Sequence, residues 1–150
     1  RALLLCRAVN HAQGFAVIQA ASAEHNWDID CGVVANIWRG GCIIRSRMLS
    51  KMKDAFAKQS DLLNLLLDEY FAGLARENHS ALREIVCMGA RYGVAMPVLS
   101  AALSYHDAAA SEMVPANLIQ AQRDFFGAHT YHRLDKPAEE SFTTDWTAGE

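Results

Sequence analysis

One segment near the C-terminus combines residue types that could hold an anion. Residues 115–131 read PANLIQAQRDFFGAHTY, so a helix opened by Pro115 carries Arg123, and His129 follows its end. The guanidinium of arginine is a fixed fork of donors that suits phosphate or carboxylate, and the negative end of a helix favours a protonated histidine. Arg123 and a cationic His129 could therefore hold a dianion together. The alternative that spacing leaves open is a surface ion pair between Arg123 and Asp124 beside an ordinary loop histidine.

Other motifs of catalysis are missing from the sequence. It contains no GxGxxG loop after a strand-like segment, and no GxSxG, HExxH or Walker sequence. His129 and His132 are three residues apart, but two histidines without a cysteine or paired carboxylates nearby do not predict a metal site. The sequence therefore predicts no metal and no catalytic residue within this chain.

Composition limits the class of protein. The chain has 150 residues, of which 51% are hydrophobic and 21% charged, with a formal net charge of −3. These values are typical of one globular domain with a real core, and the lack of a basic field argues against nucleic acid as a partner. No apolar run is long enough to cross a membrane, and Arg7 interrupts the short run at the N-terminus, so neither a membrane span nor a signal peptide is predicted.

The cysteines and the first residue indicate the compartment and the extent of the chain. None of the four cysteines belongs to a CxxC pair, and each has apolar neighbours; they are Cys6, Cys31, Cys42 and Cys87. This pattern favours free buried thiols over disulfides or a zinc site, and hence the cytoplasm. Because the chain begins with arginine rather than methionine, we expect it to be a piece of a longer protein.

The elements that would position Arg123 and His129 are predicted to be helices. Alanine and leucine are abundant, and no stretch alternates between apolar and polar residues, so the sequence predicts an all-α fold of seven or eight helices. The expected helices cover residues 2–24, a segment capped by Asp30 and ending at Trp38, 42–59, a leucine-rich segment from 60, a segment from Ser80 to Tyr92, 98–110 and 116–126.

The last part of the chain differs from the rest. Residues 128–150 are polar and carry only four apolar anchors, which are Tyr131, Leu134, Phe142 and Trp146. We therefore expect a helical domain over residues 1–127 and a C-terminal tail over 128–150, ordered only where its anchors dock.

Several motifs together resemble one enzyme family. The segment PANLIQAQRDFFGAHTY resembles the signature near the C-terminus of 6-phosphogluconate dehydrogenase (decarboxylating). Four further stretches are similar to the C-terminal half of that family, namely AQGF at 12–15, WRGGCIIR at 38–45, NLLL at 64–67 and FTTDW at 142–146. The resemblance therefore covers essentially all 150 residues.

The resemblance implies a fold, an activity and a site. Members of the family oxidise 6-phosphogluconate with NADP and decarboxylate the product to ribulose 5-phosphate and CO₂, in the pentose phosphate pathway. Their NADP-binding domain and catalytic residues precede the region present here, so this chain would lack both and would be inactive alone. They are homodimers in which the tail of one subunit reaches into the active site of the other. Matched by position, Arg123 and His129 would bind the substrate phosphate across that interface.

Two alternative interpretations remain open, and the tail differs from the family pattern at one position. The chain could be a catalytically inert helical interaction module, or it could belong to a related β-hydroxyacid dehydrogenase, in which we would not expect the QAQRD and FFGAHTY motifs. The tail departs from the family because Thr143 stands where relatives often carry a histidine after the phenylalanine. No role of that histidine can be assigned to Thr143.

Overall fold

The computed structural model describes residues 1–148 and is all-helical. In this part of the chain six α-helices and one 3-10 turn occur: α1 (Ala2–His25), α2 (Cys31–Ile37), α3 (Met48–Lys58), the turn Leu65–Leu67, α4 (Glu69–Tyr92), α5 (Pro97–Ala109) and α6 (Ala116–Gly127). The predicted all-α class is confirmed, with fewer α-helices than expected. Within the described residues no helix has both the length and the apolar character that a membrane span requires.

The chain divides into two compact units, Arg1–Ala109 and a second one that begins at Ala110. In the first unit, helices α1, α4 and α5 pack against one another and α2 packs on α3. Phe15 of α1 is 1% exposed, and its ring centroid lies 4.8 Å from that of Phe56 and 5.3 Å from that of Trp38. Leu5, Val9 and Ala12 of α1 are fully buried on the same side of the core.

Several predicted helix ends are confirmed by their capping groups. The backbone N–H of Val33 donates to Oδ1 of Asp30 over 3.0 Å, which caps the start of α2. Gly93 has a φ of 69° and ends α4, because glycine adopts this left-handed conformation without a steric penalty. Pro97 begins α5, where its missing N–H costs no hydrogen bond.

The predicted start of the third helix at residue 42 is wrong. Helix α3 begins at Met48, and residues 42–47 form turns instead. The preceding Gly41 has a left-handed φ of 64°, and Ile43 is completely exposed, so a helix through this segment would bury no apolar face.

The leucine-rich segment does not form the helix that was predicted from residue 60. Leu62 and Leu65 are buried, but Leu63 and Leu67 are 82% and 66% exposed. Asn64 explains the irregular backbone, since its Oδ1 accepts from the N–H of Leu66 and its Nδ2 donates to the hydroxyl of Tyr105. Local side-chain bonds of this kind compete with helix formation.

The prediction that a separate helix begins at Ser80 is also wrong. Helix α4 is continuous from Glu69 to Tyr92 and passes through Ser80, whose side chain is exposed. The effective cap is Asp68, whose Oδ1 accepts from the N–H groups of Tyr70 and Phe71.

All four cysteines are free thiols, but only two of them are buried. Burial raises the pKa of the Cys6 and Cys31 thiols. Cys42 is half-buried and Cys87 is exposed, so the expectation of buried thiols is wrong for Cys87, which lies on the outward side of α4.

Candidate anion site at the end of helix α6

Arg123 lies exposed on α6 and does not pair with its neighbour Asp124. Its Nη1 donates to Oε1 of Gln120, one turn earlier, over 3.0 Å. Asp124 is only 2% exposed and is bonded elsewhere, so the alternative of a surface ion pair is wrong. Within the described residues Arg123 forms no ion pair with a carboxylate, which leaves its charge available to an anion.

The Asp124 carboxylate binds the tail to the helix. Its Oδ1 accepts from the backbone N–H of Thr130 (3.0 Å) and the hydroxyl of Thr143 (2.8 Å). Its Oδ2 accepts from the N–H of Thr144 (2.9 Å) and from Nε1 of Trp146 (3.0 Å). These donors, led by the Thr144 N–H, hold the pKa of Asp124 below its ordinary value.

His129 lies at an unusual backbone position directly after α6. The residues on either side of it, Ala128 and Thr130, have positive φ values of 49° and 62°. Residues other than glycine rarely adopt this conformation, so the surrounding bonds must hold it in place. Gly127 is the last helical residue, and a Cβ added to it would lie 3.3 Å from Nε2 of His129. The imidazole is exposed and close to the helix end.

Two side chains of α6 hold the residue that follows His129. Asp124 accepts from the backbone N–H of Thr130, and Nε2 of Gln120 donates to the carbonyl oxygen of Thr130. Gln120 also accepts from Arg123, so one amide group connects the guanidinium to the backbone beside His129. The hydrogen-bonded network therefore joins Arg123 to Thr130, the residue that directly follows His129.

Three of the four predicted tail anchors dock within the second compact unit, which begins at Ala110. Tyr131 and Phe142 form an antiparallel bridge with N–H···O distances of 2.8 and 2.9 Å. Trp146 meets Phe125 edge-on with ring centroids 6.1 Å apart, in addition to its bond with Asp124. Leu134 is 90% exposed and does not dock.

His132 takes part in tail structure rather than pairing with His129. Its Nδ1 lies 2.9 Å from the carbonyl oxygen of Glu140. Within residues 1–148 no group of three His, Cys, Asp or Glu side chains could hold a metal ion.

Sequence reasoning missed the roles of Gln120 and Asp124. A signal was present, because the two polar residues are four apart and therefore share one face of the helix. The tail also supplies donors, since Thr143, Thr144 and Trp146 are close together in sequence. A polar helix face followed by a donor-rich tail could have predicted their contact.

We expect the tail to detach from α6 in acid. A carboxylate whose pKa is lowered on folding contributes stability above its unfolded pKa of about 3.9, and this contribution is lost as pH falls through the lower folded value. The indole N–H resonance of Trp146 in a proton–nitrogen NMR spectrum should therefore move toward its unfolded position below about pH 4. In the Asp124→Asn variant this transition should be absent, and the same acid transition in both proteins would contradict the role of Asp124.

Comparisons with known proteins agree with the fold and the resemblance. The family model for the 6-phosphogluconate dehydrogenase C-terminal domain matches residues 1–146. A Salmonella typhimurium protein named 6-phosphogluconate dehydrogenase, decarboxylating, is 49% identical over 146 residues, which are 97% of this chain and 31% of the relative. A Bacillus subtilis protein named 6-phosphogluconate dehydrogenase, NADP(+)-dependent, decarboxylating, is 48% identical over 146 residues, which are again 97% of this chain and 31% of the relative.

A solved structure is similar over the same region. It is a Plasmodium falciparum 6-phosphogluconate dehydrogenase, described in its apo form and in complex with NADP+ and with its substrate 6-phosphogluconate. The TM-score is 0.89 at 39% identity, over 97% of this chain and 31% of that one. The chain thus spans about a third of the length of the proteins it matches.

Proposed function

Because the chain belongs to the 6-phosphogluconate dehydrogenase family through that C-terminal domain, we propose that it is part of an NADP-dependent oxidative decarboxylase. The complete protein converts 6-phosphogluconate to ribulose 5-phosphate and CO₂. Supporting this are the 49% identity to a relative of that name and the similarity to a structure described with NADP+ and the substrate. The NADP site and the hydride and proton chemistry belong to the part of the protein that precedes this chain. A cytoplasmic location stays a prediction.

The contribution of this chain is the phosphate end of the substrate site. Arg123 and His129 bind the phosphate of 6-phosphogluconate. The observation that supports this is that both side chains are exposed near the end of α6, where Gln120 joins Arg123 to the residue after His129. An arginine fork donates two parallel hydrogen bonds to a phosphate, and a protonated imidazole adds a second positive charge. Together they offset the partial negative charge at the end of α6, which alone would repel a dianion.

The site is completed by a second copy of the protein. Residues 1–127 form the dimerisation and substrate domain of a homodimer, and the tail of residues 128–150 reaches into the partner subunit. The docked anchors Tyr131, Phe142 and Trp146 support this, because they give the tail a defined shape from Tyr131 to Trp146.

These contacts act on binding rather than on the chemical step. The phosphate does not react, so its interactions are equally strong in the bound substrate and in the transition state. Such uniform binding changes KM and leaves kcat almost unaffected.

Assaying the complete protein and the 150-residue chain side by side tests the proposed function. With NADP and 6-phosphogluconate, NADPH should form only with the complete protein. Turnover by the chain alone would contradict the assignment of the chemistry to the preceding part. A complete protein that dimerises without turnover would support the inert interaction module instead.

A further inference from the structure

We propose that Gln120 and Asp124 are positioning residues for phosphate binding: they fix the Arg123 guanidinium and the backbone around His129 in the geometry that the anion requires. This inference rests on the proposed function. Neither side chain needs to touch the substrate, and each acts through a residue that does. Both lie on α6, four residues apart, so the helix itself sets their separation.

Gln120 joins Arg123 to the backbone next to His129. Its carbonyl oxygen accepts from Nη1 of Arg123 over 3.0 Å, and its amide nitrogen donates to the carbonyl oxygen of Thr130. A long arginine side chain on an exposed surface otherwise samples many rotamers, and ordering it on binding costs free energy. A partner that orients the guanidinium in advance reduces that cost.

Asp124 holds the other side of the same backbone. Its main-chain carbonyl accepts from the N–H of Ala128 over 2.8 Å, and its side chain accepts from the N–H of Thr130. His129 therefore lies between two residues that are both bonded to Asp124. The carboxylate is only 2% exposed, so the tail shields this connection from water.

The strained backbone explains why such support is needed. Ala128 and Thr130 adopt left-handed conformations with φ of 49° and 62°, and such conformations persist only when surrounding bonds enforce them. Without the side chains of Gln120 and Asp124, the residues around His129 can relax to ordinary conformations. The imidazole would then leave the end of α6, and substrate binding would have to restore its position.

The test uses Gln120→Leu in the complete protein, with Gln122→Leu as the matched control. Gln122 is an exposed glutamine on the same helix with no side-chain hydrogen bond in the described residues. Gln120→Leu should raise KM for 6-phosphogluconate about tenfold, equivalent to about 1.4 kcal/mol, with kcat nearly unchanged. Gln122→Leu should leave both constants as they are.

Combining substitutions separates positioning from a general loss of structure. If Gln120 acts through Arg123 and His129, Gln120→Leu should raise KM much less in the Arg123→Ala, His129→Ala background than in the native protein. Hydrogen exchange of the Thr130 amide should also accelerate in Gln120→Leu, and not in Gln122→Leu, while the amides of α1 exchange as before.

The outcomes distinguish this inference from the proposed function. If Arg123→Ala and His129→Ala leave KM unchanged, the phosphate site itself is wrong. If they raise KM but Gln120→Leu does not, or if Gln120→Leu raises it equally in both backgrounds, the positioning role is overturned. Equal effects of Gln120→Leu and Gln122→Leu would overturn it as well.

Discussion

Replacing Arg123 with alanine in the complete protein should raise KM for 6-phosphogluconate roughly 10–100-fold, because a charge-assisted hydrogen bond to phosphate contributes about 1.5–3 kcal/mol. Its effect on kcat should be small, since the phosphate is bound alike before and during the reaction. The side chain is exposed, and within residues 1–148 it is bonded only to Gln120, so its removal should not disturb the core. Steady-state kinetics with varied substrate at saturating NADP measures both constants.

Two further variants give this prediction its controls. Arg123→Lys keeps the charge but loses the planar fork, so its KM should lie between those of the native protein and Arg123→Ala. Arg133 offers a matched arginine, because it donates to both carboxylate oxygens of Asp135 in the tail. Arg133→Ala should change KM little. An unchanged KM in Arg123→Ala, or an equal rise in Arg133→Ala, would contradict the assignment.

Truncating Phe15 should produce the largest loss of stability in the first unit. The side chain is 1% exposed and packs between the rings of Phe56 and Trp38. Phe15→Ala removes these contacts and leaves a cavity that the neighbouring helices cannot close, which lowers the free energy of unfolding by about 3–5 kcal/mol. Urea unfolding followed by far-UV circular dichroism measures the change through the transition midpoint.

The control for Phe15 lies on the same helix. Val17 is 69% exposed on α1, and Val17→Ala should change the free energy of unfolding by less than about 0.5 kcal/mol. If Phe15→Ala were as stable as Val17→Ala, the aromatic cluster would not be the centre of the core. A variant that loses all helical signal before urea is added would be consistent with the predicted cost.

The helices that local signals define were predictable from the sequence. Asp30 begins α2 and Gly93 ends α4 as expected, because capping depends on residues within one turn. The leucine-rich segment was misassigned, since its backbone follows the bonds of Asn64 to Leu66 and to the distant Tyr105. Hydrophobic content alone could not distinguish a buried helix from a turn that buries only Leu62 and Leu65.

The sequence predicted which residues form the candidate site, but it did not predict the hydrogen bonds that hold the tail against α6. Arg123 and His129 follow from residue type and from the resemblance of the surrounding motif. The burial of Asp124 depends on a tail that returns to the helix about twenty residues later, at Thr144 and Trp146. A contact across that separation requires the docked structure, so Asp124 looked like an exposed partner for Arg123.

The most direct measurement is a crystal structure of the complete protein with 6-phosphogluconate bound. Guanidinium nitrogens of Arg123 should lie about 2.7–2.9 Å from phosphate oxygens of the substrate held by the other protomer, with the His129 ring on the same phosphate. Finding both side chains pointing into solvent, or the phosphate bound without either of them, would contradict the account.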